Sequence, residues 1–134
     1  MAYAKRILET HPLPARVDRE LLARCIEACF ECEQSCTACA DADLAEDDVA
    51  ELRRCIRLCL DCADVCDATA RVVSRQTEYD APTMKAQLQS CREESAACAE
   101  ECERHAEHHA HCALCAEACR RCQAACDQLL GAIA

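Results

Sequence analysis

A chain of 134 residues with one glycine, three prolines and only three aromatic side chains has room for one domain and little material for strands or hairpins. Its formal net charge of −10 argues against a nucleic-acid partner, although an ordinary acidic surface explains it equally well, and no apolar run reaches the length of a membrane span. What sets the chain apart is its 17 cysteines, since Leu, Ile and Val alone would make a thin core and protonated cysteine packs as a small hydrophobe.

The spacing predicts an all-α fold, one domain over residues 1–134. Residues 1–17 make a short amphipathic helix and a linker, with Tyr3, Ile7 and Leu8 on the apolar side and Pro12 and Pro14 ending the helix. This helix is expected to cap one end of a bundle formed by residues 18–134. Asp18 is a candidate N-cap for the first long helix, which runs to about Ala42 with Leu22, Cys25, Cys29, Cys32, Cys36 and Cys39 on one face. Steps of three and four stack residues along a single helix face, the inner seam of a bundle. The acidic stretch from Asp41 to Asp48 is read as a turn. The second long helix runs to about Arg75 with the seam Leu52, Cys55, Cys59, Cys62, Cys66, Thr69 and Val73.

Residues 76–82 form the next connection, with Pro82 suited to a first helical turn. The third helix keeps the register through Met84, Leu88, Cys91, Ser95, Cys98 and Cys102, and continues it to His105 and His109; Ser95 stands where an eighteenth cysteine would fall. After a turn near residues 107–111 the fourth carries Cys112, Cys115, Cys119, Cys122, Cys126, Leu129 and Ile133. Short connections make neighbours antiparallel, so the helices alternate up and down. The first and third turns then share one end, bringing Asp41, Asp43 and Asp47 near His105, His108, His109 and His111. The opposite end is apolar, a mouth and a plug. Ile26, Phe30, Ile56 and Leu60 flank the seams and read as additional core in preference to an oligomer interface. His11 beside Pro12 reads as surface.

Such a cysteine content usually signals a secreted disulfide scaffold. Three features oppose that. The N-terminal stretch carries Lys5, Arg6 and Glu9 with no apolar signal core, the cysteine count is odd, and thiols three or four apart on a helix meet disulfide geometry poorly. A reducing cytoplasm fits better.

Thiolates are soft ligands that select Cu(I), Zn(II) and iron–sulfur clusters. An all-thiolate zinc site carries a charge of −2, and several stacked in one core are costly to bury. Exchanging one thiol proton for one Cu(I) leaves the charge unchanged, so about one copper per cysteine can be accommodated. The compact spacing common in iron–sulfur proteins is absent, as is the strand–helix setting of a thioredoxin-type dithiol. Sequestration of zinc or cadmium, iron–sulfur electron transfer and a metal-free thiol redox buffer are the alternatives. Imidazoles at the mouth are candidates to receive the first ions, with His105 and His109 ahead of His108 and His111. No nucleophile–base pair or open metal position points to an enzyme.

The repeated CxxxCxxC ladders on four successive helices, with the histidine-rich segment between the last two, resemble the bacterial copper storage proteins. The likeness extends from Cys25 to Cys126. It implies a cysteine-lined four-helix bundle that takes up many Cu(I) ions, with every seam cysteine a ligand and copper entering at the histidine-bearing end. The start MAYAKRILETHPL resembles the cytosolic branch, whose members are typically homotetramers. A copper chaperone or small-molecule thiol is the expected partner, with neither nucleic acid nor membrane. Ser95 departs from an unbroken ladder and should leave fewer or differently bridged coppers at its level.

Overall fold

The computed structural model describes residues 2–134. Five α-helices account for most of them: α1 (Ala2–Glu9), α2 (Arg19–Leu44), α3 (Arg53–Ser74), α4 (Ala81–His105) and α5 (Ala110–Ala132), with a 3₁₀ turn at Val49–Leu52 leading into α3. No strand occurs among the described residues. Helix α2 packs on α3 and α5, and α4 packs on the same two, which closes an antiparallel square of four helices.

The helix starts are set by local chemistry. Asp18 caps α2, its Oδ1 accepting from the amides of Glu20 at 2.7 Å and Leu21 at 3.3 Å, which satisfies two of the donors that every helix start leaves orphaned. Asp80 does the same for α4 by accepting from the Thr83 amide at 3.0 Å, with Pro82 in the first turn where its missing N–H costs nothing.

Every cysteine is at most 2% exposed, and all are free thiols. The apolar end holds Leu22, Thr69, Val73, Met84, Leu88, Leu129 and Ile133, all buried, and α1 and its linker add Leu8 and Val17 to them. A Lys5–Glu20 ion pair at 3.1 Å ties α1 to the first turn of α2. Tyr3 and Ile7, grouped with Leu8 on sequence, instead remain 67% and 66% exposed. An eight-residue helix has room to bury only a narrow stripe.

Two boundaries and one set of flanking residues differ from the sequence reading. Helix α2 continues to Leu44, so Asp41 and Asp43 are helical and Asp43 takes the next inward step after Cys39. Helix α4 ends at His105, so His109 is no continuation of its seam but the residue preceding α5. Of the flanking apolar residues, Ile26 is buried and Ile56 half-buried, while Phe30 and Leu60 stand 47% exposed.

The bundle should fold without metal: reduced, metal-free protein is expected to show full helical circular dichroism. In urea unfolding of that state, Asp18→Ala should cost about 1 kcal/mol through loss of its two capping bonds.

Candidate metal centre

Because the four seams face one another, the sulfurs form a column of contacts rather than isolated pairs. Cys25 lies 4.0 Å from Cys126, and Cys29 lies 3.8 Å from Cys122 and 3.9 Å from Cys91. Midway, Cys32 is 3.7 Å from Cys62 and Cys119, and Cys36 is 3.6 Å from Cys119. Towards the polar end Cys59 is 3.8 Å from both Cys98 and Cys102, and Cys55 is 3.8 Å from Cys102. These are van der Waals separations, nearly twice the ~2.05 Å of a disulfide.

Several sulfurs gather in fours. Cys29, Cys91, Cys122 and Cys126 lie within 4.8 Å of one another, as do Cys32, Cys36, Cys62 and Cys119, then Cys36, Cys98, Cys115 and Cys119, then Cys39, Cys59, Cys102 and Cys115. Members are shared between sets, so a small cation has a continuous series of neighbouring donors. Protons are shared too. Hydrogen bonds to Cys115 and Cys119 hold the Cys36 thiol above its ordinary range, and burial holds the Cys112 thiol up. Ser95 is buried at this column, its Oγ 3.9 Å from Cys62 Sγ and 4.0 Å from Cys66 Sγ. A hydroxyl is a hard, protonated donor, so that level lacks one soft ligand.

At the polar end the histidines separate into different roles. His105 Nε2 meets Glu101 Oε2 at 2.8 Å, and His108 is exposed; neither is brought to a sulfur. His109 has carboxylates at both nitrogens, Glu46 at 2.7 Å and Asp48 at 3.0 Å. The Asp48 bond, assisted by the Glu46 charge, raises its affinity for a proton. His111 alone reaches the thiols: its Nδ1 is 3.4 Å from Cys39 Sγ and 3.6 Å from Cys112 Sγ. The acidic partners at this end are Asp43, Glu46, Asp48 and Glu101, whereas Asp41, on the outer side of α2 once Asp43 turns in, and Asp47, in the turn that follows, are exposed.

Asp43 is fully buried, with Cys112 donating to its Oδ1 at 3.5 Å and Oδ2 left without a partner. Burial raises its carboxyl from 3.8 to about 7, aided by the Cys55 thiol. Glu46 carried no sequence signal, since it looks like any other surface acid until the turns are folded together, whereas the spacing of four between Glu101 and His105 on one helix could have paired them.

A model of the copper storage protein family matches residues 18–131. Among solved structures, the copper storage protein Ccsp from Streptomyces lividans, loaded with 10 copper equivalents, is 55% identical, with a TM-score of 0.95 over 96% of this chain and 98% of that one. The structure of a cytosolic copper storage protein from the same organism with five coppers is 57% identical, with a TM-score of 0.85 over 86% and 96%. Cu(I)-bound copper storage protein BsCsp3 is 36% identical, with a TM-score of 0.70 over 78% and 93%. Comparison with curated proteins gives no significant match.

A raised carboxyl favours the native state fully below its unfolded pKa, and that advantage is lost as pH climbs to the folded value. For Asp43 the window runs from 3.8 to about 7. Asp43→Asn, which cannot ionise, should therefore abolish the loss of stability, on the order of 4 kcal/mol, that metal-free wild type shows across this window, measured by urea unfolding of both proteins at several pH values.

Proposed function

The chain belongs to the copper storage protein family, and on that premise we propose that it is a cytosolic Cu(I) store, filled through its histidine-bearing end. The observation that carries this reading is the column of 17 buried thiols, interrupted only at Ser95. Each Cu(I) that enters replaces one proton, so the core gains metal without gaining charge. Its soft preference for two or three sulfurs suits donors already 3.6–4.0 Å apart. The ligands we assign are the seam cysteines from Cys25 to Cys126, with His111 receiving ions at the mouth.

The role is storage rather than catalysis, as the family indicates. No helix among the described residues is long and apolar enough to cross a membrane, and the Streptomyces relative is cytosolic by name. The finer reading extends to assembly. Exposed Tyr3, Ile7 and Phe30 border, with Ile26, a groove of about 530 Å³, an apolar surface suited to the homotetramer that the family resemblance implies. Supply would come from a copper chaperone or a small-molecule thiol exchanging ions at the mouth.

Anaerobic titration of reduced, metal-free protein with Cu(I) against a coloured Cu(I) chelator tests the reading. The chelator should stay copper-free until about one copper per cysteine has been added. Capture of copper by the chelator after one to four equivalents would remove the storage function.

A further inference from the structure

The mouth differs in chemistry from the column beneath it. Cys39, Asp43, His111 and Cys112 form a group whose donor atoms all lie within 4.8 Å of one another. It combines two sulfurs, one nitrogen and one oxygen, where the column groups offer sulfur alone. We infer that this group is a single tetrahedral site for a divalent cation of the Zn(II) class, separate in preference from the Cu(I) column that begins behind it.

Geometry supports this first. Zn–S bonds of about 2.3 Å and Zn–N or Zn–O bonds of about 2.0–2.2 Å, at tetrahedral angles, put sulfurs ~3.8 Å apart, sulfur and nitrogen or oxygen ~3.5 Å apart, and nitrogen and oxygen ~3.4 Å apart. Here Cys39 Sγ and Cys112 Sγ are 3.9 Å apart, His111 Nδ1 is 3.4 and 3.6 Å from them, and Asp43 Oδ1 is 3.5 Å from Cys112 Sγ and 3.6 Å from His111 Nδ1. Five of the six edges of the required tetrahedron are already in place, and the sixth, from the Asp43 carboxylate to Cys39 Sγ, is within 4.8 Å.

The second support is the hydrogen bonding around the group. His111 Nε2 lies 2.8 Å from Glu46 Oε2, and an ionised carboxylate can only accept, so Nε2 carries the hydrogen. That tautomer leaves the Nδ1 lone pair facing the sulfurs, and a carboxylate behind a ligating histidine fixes its orientation and raises its basicity. Asp43 is fully buried with Oδ2 unpartnered, so a carboxylate short of hydrogen bonds presents its Oδ1 to the group.

Charge decides which site a divalent ion takes. Two thiolates, one carboxylate and a neutral imidazole around a divalent ion sum to −1, against −2 for an all-thiolate site deeper in the bundle. The harder carboxylate oxygen favours Zn(II) over Cu(I). Because Cys39 and Cys112 also belong to the column, a bound zinc would occupy two of its outermost sulfurs. On the reading that copper enters here, zinc would slow copper loading.

Cobalt(II) is the probe, since it takes zinc sites and reports tetrahedral thiolate coordination by its visible bands. Anaerobic titration of the reduced, metal-free chain should give one Co(II) per chain, with strong tetrahedral bands, and one equivalent of Zn(II) should bleach them. Glu46→Gln should weaken binding roughly 10–100-fold through the second shell, and Asp43→Asn by at least as much, each with native helical content. Absence of a stoichiometric Co(II) site, or several Co(II) ions bound with all-sulfur spectra that Asp43→Asn and Glu46→Gln leave unchanged, would overturn the inference. Copper capacity measured on the same samples keeps the two readings apart: a full Cu(I) load without a Co(II) site defeats this one alone.

Discussion

Four helix faces made of cysteine must find partners that are also cysteine, and that contact governs the rest of the molecule. A thiol is small, so the helices approach until sulfurs sit 3.6–4.0 Å apart, close enough for one cation to touch several. It is also weakly polar, so a neutral column can be buried without the penalty that carboxylates or imidazoles would bring. The same contact that packs the core of the metal-free protein therefore lays out the ligands. Function and folding use one set of atoms.

This economy requires that the bundle be held by something other than metal. Leucine, valine and methionine at the apolar end, together with Leu8 of α1, supply an ordinary hydrophobic anchor, and aspartate caps fix where α2 and α4 begin. Polarity then changes along the axis. At the far end a buried carboxyl, a thiol-facing histidine and an outer ring of acids replace leucine, which concentrates both hydration and cation-binding groups where the column opens. Ser95 marks the one level at which α4 offers a hydroxyl to the sulfurs of α3, a local gap in soft ligation inside otherwise regular packing.

Much of this was legible in the sequence because a helix imposes a strict period. Once Cys25 to Cys39 fixed the inward face, the inward positions of three further helices followed, and so did the apolar end and the place of Ser95. The mouth was harder to read. Whether Asp43 faces inward depends on α2 continuing past Ala42, and whether His109 or His111 meets the thiols depends on where α4 stops. Helix ends are decided by a few weak local terms, so a shift of two or three residues exchanges one histidine for another. Glu46 gains meaning only from His111, 65 residues away at the same end of the bundle, and Glu101 from His105, four residues further along α4. Phe30 and Leu60, beside the seam in sequence, lie outside it because the small thiols draw the helices together and leave no room for a second layer.

The central claim is that Cu(I) replaces protons one for one in a neutral, preformed thiol column. Proton release in weakly buffered, anaerobic solution during copper loading measures this exchange directly. The account predicts close to one proton per Cu(I) from the first additions until the thiols are used up, with helical content unchanged throughout. Release of well under half a proton per copper would mean that the column holds thiolate charge before metal arrives, and would contradict it.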